Sequence, residues 1–166
     1  MKQIKLVNAR DGHLGQGLRD LISDLPNNLI MAEVGCYKGD SASVFLDSGK
    51  VKEFYAIDTW QPGRFDNAFT EFKRVTEGRG VNILQMDMTK AWKRLPMLDF
   101  VYIDANHSYE WVKRDITYCL KVLKIGGIIS GHDYADQFKD RVVKAVNEIL
   151  GKPDKLYMDT SWMKRL

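Results

Sequence analysis

The stretch LIMAEVGCYKGDSASVFLDSG, residues 29–49, changes character twice. It opens as a short apolar run broken only by Glu33, passes through a Gly-x-x-x-Gly loop from Gly35 to Gly39, and continues from Asp40 with apolar residues at helical spacing. A short, almost continuous apolar run followed by a glycine loop and an amphipathic stretch is half of a βαβ unit. The pattern recurs along the chain. EFYAID (53–58), VNILQM (81–86), LDFVYID (98–104) and GGIISG (126–131) read as further buried strands. RFDNAFTEFKRVTEG (64–78) and YEWVKRDITYCLKVLKIGG (109–127) read as helices, the second stopping at Gly126-Gly127. An α/β fold follows: a Rossmann-like doubly wound sheet, mostly parallel, with helices on both faces.

Outward from this core, GLRDLISDL (17–25) predicts a helix that Pro26-Asn27-Asn28 turns into the first strand. DRVVKAVNEILG (140–151) predicts another, and KLYMD (155–159) and SWMKRL (161–166) predict two closing strands, the last antiparallel. The expected organisation is one domain, with a helical segment over 1–28 and the core over 29–166.

Composition narrows the class. Hydrophobic residues make up 45% of the 166 and charged residues 28%, values of a globular domain. The net charge of +3, without a Lys/Arg block, permits a polyanionic partner without arguing for one, and a nucleic-acid partner is not expected. No apolar run approaches the roughly 20 residues that span a bilayer. The start, MKQIKLVNARDGH, lacks a signal-peptide pattern, and Cys36 and Cys119 show no metal or disulfide spacing, so a reducing, cytoplasmic setting is expected.

In doubly wound sheets, ligands lie beyond the carboxyl ends of the strands. Five such ends here carry an acid: Glu33, Asp58, Asp87, Asp104, and the pair His132-Asp133. The loop after Glu33 lacks the middle glycine of a dinucleotide fingerprint, and the carboxylate before it would repel a diphosphate. S-Adenosylmethionine, with an ammonium, a sulfonium, a ribose diol and no phosphate, matches this charge pattern. Asp58 would accept from the ribose hydroxyls and Asp87 from the adenine amino group, with their neighbours Thr59 and Met88 completing that side of the cofactor.

At this point the sequence resembles the class I S-adenosylmethionine-dependent methyltransferases, from Leu29 onward. The signatures DANHSYE and GHDY are similar to those of small-molecule O-methyltransferases related to macrocin O-methyltransferase and cephalosporin hydroxylase. The loop residues Glu33, Gly35, Tyr37, Gly39 and Ser41 match the Glu-x-Gly-x-Tyr-x-Gly-x-Ser loop of catechol-type enzymes, in which it holds the methionine head group. The resemblance implies methyl transfer to a hydroxyl of a small molecule, of sugar or natural-product type. It places Asp104 beneath the transferring methyl and His107 where catechol-type enzymes carry a general-base lysine; a near-neutral pKa would suit that task. His132 is the second candidate base. The counterparts of Asp104, His132 and Asp133 bind magnesium in catechol-type enzymes; with His132 in place of a carboxylate and Asn106 in place of the signature's second acid, a divalent metal is left open.

Methylation of a base amine is disfavoured, because DANHSY stands where such enzymes carry Asp/Asn-Pro-Pro-aromatic. The competing reading is a non-catalytic cofactor-binding module or a subunit of a larger assembly, since little inserted sequence remains to build a substrate lid. A homodimer would supply the missing wall. Trp60, Trp111 and Trp162 are assigned to packing, Trp60 being also placed to cover an adenine, and His13 is assigned to structure or an N-terminal lid.

Overall fold

The computed structural model describes residues 12–61 and 67–166. In chain order these form α1 (Gly12–Asp24), β1 (Leu29–Val34), α2 (Asp40–Asp47), β2 (Val51–Asp58), α3 (Ala68–Val75), β3 (Asn82–Gln85), a single turn α4 (Met88–Ala91), β4 (Leu98–Ile103), α5 (Tyr109–Cys119), β5 (Leu123–Gly131), α6 (Lys144–Leu150), β6 (Lys155–Leu156) and β7 (Trp162–Arg165). The side chain of His13 and residues 62–66, part of the expected helix over 64–78, lie outside the described residues.

The seven strands stand in the order β3-β2-β1-β4-β5-β7-β6. β1 pairs in parallel with β2 and with β4, and the order reverses between β1 and β4, which makes the switch point where such sheets build a crevice. β7 runs antiparallel to both β5 and β6. β6 therefore points the same way as β1 to β5.

Alternation along the strands builds a core on each face. Met31, Phe100, Tyr102 and Ile128 pack under α1 and α2, where Leu18, Leu21, Ala42 and Phe45 meet them. Ala32, Val34, Val101, Ile103 and Ile129 face the other way, against Val112, Ile116 and Cys119 of α5 and Val146 of α6. Leu18, Leu21 and Ile22 give α1 its buried stripe at helical spacing, and Leu25 continues it just past the helix end.

The structure corrects one helix end. The periodicity of 109–127 predicts helix as far as Gly127, yet α5 stops at Cys119. Sheet pairing overrides the pattern: the Leu98 amide donates to the Val122 carbonyl at 2.7 Å, and Leu123 pairs with Leu98. The register then slips, with Ile128 opposite Phe100, so Lys124 to Gly127 form a bulge inside β5. At the other boundary, Asn106 Oδ1 accepts the Ser108 amide at 2.9 Å and turns the chain into α5. The expected strand over 155–159 holds ladder pairing only at Lys155–Leu156, and the expected helix over 140–151 opens as a π-turn over Lys139–Val143 before α6.

Candidate active site

The register sets the strand ends abreast. Val34 pairs with Ile57 and with Ile103, Asp58 with Gln85, and Ile103 with Gly131. The residues that follow therefore converge on one crevice. At its centre Gly35 adopts φ +92, and a Cβ there would lie 2.2 Å from the Asp104 carbonyl oxygen. Only glycine lets the first loop and the end of β4 approach so closely.

The loop from Gly35 to Gly39 is held by Asp58. One carboxylate oxygen accepts the Tyr37 amide and the other the Trp60 amide, each at 2.9 Å. The Trp60 indole N–H then donates to the Tyr37 carbonyl at 2.8 Å. Trp60 is buried against Phe69 and Phe72, so it is a packing residue that also ties the loop to β2. Each Asp58 oxygen keeps a lone pair for a ligand. Asp87 precedes α4 and accepts the Thr89 hydroxyl; that bond lowers its pKa, burial opposes it, and the Arg114 field adds to the lowering.

Glu33 is fully buried. Ser41 donates its hydroxyl to Oε1, and Oε2 has no partner among the described residues. Burial raises its pKa to about 8, the Ser41 hydrogen bond pulling the other way and the Asp104 charge adding to the rise.

The two acid-histidine strand ends meet at Asp133, a residue with φ 63. His107 Nδ1 lies 2.9 Å from Asp133 Oδ2, and His107 Nε2 lies 3.3 Å from Asp104 Oδ1. His132 Nδ1 lies 3.2 Å from the other Asp133 oxygen. His107 is thus gripped on both nitrogens. The hydrogen bonds to Asp104 and Asp133 raise its pKa to about 10 against desolvation, which overturns the near-neutral value expected of it. Burial would lower His132, but the hydrogen bond to Asp133 and the charges of Asp104, Asp133 and Asp159 outweigh it and push the ring to about 9. Asp133 pays a burial penalty that would raise it, and the two rings overcome this and hold it well below the usual carboxylate range.

The convergent donor set differs from the expected metal ligands. The ligand atoms of Asp104, His107 and Asp133 lie within 4.8 Å of one another; the set Asp104, His132 and Asp133 does not form such a group among the described residues. The cause is geometric: Asp133 offers one oxygen to each ring, and only His107 also reaches Asp104.

Two chambers share Gly35, Tyr37 and Asp104. The larger, about 830 Å³, runs over Asp58, Thr59, Asp87, Met88 and His107. The smaller, about 260 Å³, lies under α1 and takes in Ser41, His132 and Asp159. Glu33 stands behind Ser41, Gly39 packs toward Phe72, and Asp133 braces the two rings from behind.

A family model described as a methyltransferase domain matches residues 32–134, more than half of the chain and every strand end of the crevice except β6. The chain belongs to that methyltransferase family. A curated relative, an uncharacterized protein of Acanthamoeba polyphaga mimivirus, is 26% identical over 136 residues, covering 75% of this chain; the chain spans 60% of that protein's length. Among solved structures, a putative O-methyltransferase from Klebsiella pneumoniae matches with TM-score 0.65 at 13% identity, covering 94% of this chain and 80% of its own. Aeropyrum pernix fibrillarin, solved with natively bound S-adenosyl-L-methionine, matches with TM-score 0.65 at 14% identity, covering 85% of this chain and 67% of its own. These likenesses establish the class I fold.

The methyltransferase crevice suits S-adenosylmethionine on its own chemistry. A glycine cradle that a side chain would fill and an acid with spare lone pairs at the end of β2 line the larger chamber, and a buried carboxyl oxygen without a partner among the described residues stands behind Ser41. Two features escape the sequence reading. Trp111, assigned to packing, is 41% exposed at the rim of the larger chamber, with the Arg114 guanidinium 3.5 Å from its ring centroid. Asp159 is the second. β6 points the same way as β1 to β5, so the rule that located the other acids applies to KLYMD as well; its signal was present but hidden by a strand read only as closing the sheet.

Proposed function

We propose that this methyltransferase transfers the methyl group of S-adenosylmethionine to a hydroxyl of a small acceptor, of sugar or natural-product type, beside Asp104, His107 and His132. The observation that carries the reading is the grip of Asp104 and Asp133 on both nitrogens of His107 at the mouth of the cofactor crevice. The cofactor supplies an electrophilic methyl on a sulfonium. The chain must supply orientation and a place for the acceptor's proton. Asp104 lines both chambers and marks their junction. His107, with its pKa raised to about 10, is an imidazolium at neutral pH in the unliganded protein. A hydroxyl beside a neutral imidazole and an alkoxide beside an imidazolium hold the same number of protons, so the reactive state appears after one proton leaves the pair. Turnover should therefore rise with pH from neutrality toward about 10.

Mass-shift screening of hydroxylated acceptors, followed by His107→Gln, tests this. Glutamine can still hydrogen-bond to a carboxylate but cannot take a proton. Turnover should fall about 10²–10⁴-fold, the usual worth of a positioned base, with S-adenosylhomocysteine affinity nearly unchanged. Full turnover in His107→Gln, or loss in His132→Gln alone, would reassign the base. If the cofactor binds and no acceptor is methylated, the cofactor-binding module gains. The convergence of Asp104, His107 and Asp133 supports a second reading of the same cluster, in which one divalent cation replaces the His107 proton. Activity that thorough EDTA treatment leaves intact excludes that role for the ion.

A further inference from the structure

We propose that Asp159, together with Asp104, receives the α-ammonium of the cofactor's amino-acid end in the smaller chamber under α1. The proposal rests on the cofactor reading above and adds to Asp104 a residue, Asp159, beyond the matched methyltransferase segment, which ends at residue 134.

The chamber has two walls of opposite character. One is the start of α2, where Asp40 and Ser41 open the helix and Lys38 precedes it. The first amides of a helix lack intrahelical acceptors and favour a carboxylate. The other wall is Asp104 and Asp159. An amino-acid tail carries a carboxylate and an ammonium on one carbon; the helix amides and Lys38 suit the first, and Asp104 and Asp159 suit the second.

Asp159 is set in place rather than left at a surface. It is 4% exposed. One oxygen accepts the Ser161 amide at 3.0 Å and the other the Ser161 hydroxyl at 3.1 Å, and that hydroxyl lies 3.2 Å from the buried Tyr102 hydroxyl. Above it, a Cβ on Gly17 would lie 2.3 Å from the Asp159 carboxyl carbon, so the backbone of α1 rests directly on the acid. These donors are neutral. A buried carboxylate with neutral hydrogen-bond donors is costly; the His132 ring, a cation in the same chamber, offsets part of that cost but is shared with Asp104 and Asp133, and an ammonium delivered by a ligand offsets more. The hairpin between β6 and β7 thus brings a sixth acid to the same side of the sheet as the other five.

The test is calorimetric titration of wild type and Asp159→Asn with three ligands. S-Adenosylhomocysteine carries the whole tail, its deamino analogue keeps the tail carboxylate without the amine, and methylthioadenosine has no amino-acid tail. Wild type should prefer S-adenosylhomocysteine to the deamino analogue by about tenfold or more, the worth of a charged hydrogen bond. Asp159→Asn should abolish most of that preference and leave the other two ligands within about twofold of wild type. Unchanged S-adenosylhomocysteine affinity in the variant, or an equal loss of all three ligands, overturns the proposal. Should the variant not fold, wild type alone decides: equal affinity for S-adenosylhomocysteine and its deamino analogue also overturns it. Wild type that binds none of the three overturns the cofactor reading, and this proposal with it.

Discussion

Replacing Glu33 with glutamine should stabilise the unliganded protein, and by an amount that grows with pH. The carboxyl is fully buried with one oxygen unpartnered, and burial lifts its pKa from an ordinary 4.5 to about 8. Between those values the unfolded chain is ionised while the folded chain still holds the proton. The folded state then binds more protons than the unfolded one, so stability must fall as pH rises through this window. The separation is worth about 5 kcal/mol across the full range, of which roughly 3–4 kcal/mol falls between about pH 5 and about pH 8. Glutamine keeps the shape and the contact to Ser41 without titrating. Every other group titrates alike in the two proteins, so the difference between them isolates Glu33. At roughly 2–4 °C per kcal/mol for a chain of this size, the variant's advantage in Tm should widen by about 6–16 °C over that interval. Thermal unfolding of both proteins in a series of buffers measures it. A gap that stays constant with pH would refute the reasoning, since it would mean that Glu33 is already ionised in the folded state near neutrality.

Two other substitutions probe the cradle. Gly35→Ala places a Cβ against the Asp104 carbonyl at a left-handed φ; it should destabilise by about 2–4 kcal/mol, and a Tm within about 1 °C of wild type would show that the ends of β1 and β4 separate freely. Asp58→Ala removes the acceptor of the Tyr37 and Trp60 amides and, with it, the acceptor expected for the cofactor's ribose. It should weaken S-adenosylhomocysteine by about 1.5–3 kcal/mol and methylthioadenosine, which keeps the ribose, by as much; a loss confined to the ligand with the tail would place Asp58 elsewhere.

The acids at strand ends were legible because parallel strands buried on both faces read as apolar runs, and a charged residue closing one stands out. Glu33, Asp58, Asp87, Asp104 and Asp133 were found this way. Asp159 follows the same rule and was missed, because β6 has two residues of ladder pairing and its direction is known only through β7. Trp111 was misjudged for another reason. Helical spacing shows which residues share a face; it does not show that this face borders a crevice.

By itself, the sequence determined the alternation of strand and helix, the glycine loop with its preceding acid, and hence the class of fold and the cofactor to expect of it. These rest on local periodicity and backbone chemistry, which act over a few residues. The tertiary structure decided which charges meet. His107 is separated from Asp133 by 26 positions of chain (133 − 107), yet they lie 2.9 Å apart. That contact turns an imidazole expected to titrate near neutrality into a cation held between two carboxylates. A pKa is set by what lies within a few ångströms in space, and only the packing of β4 beside β5 brings those groups together.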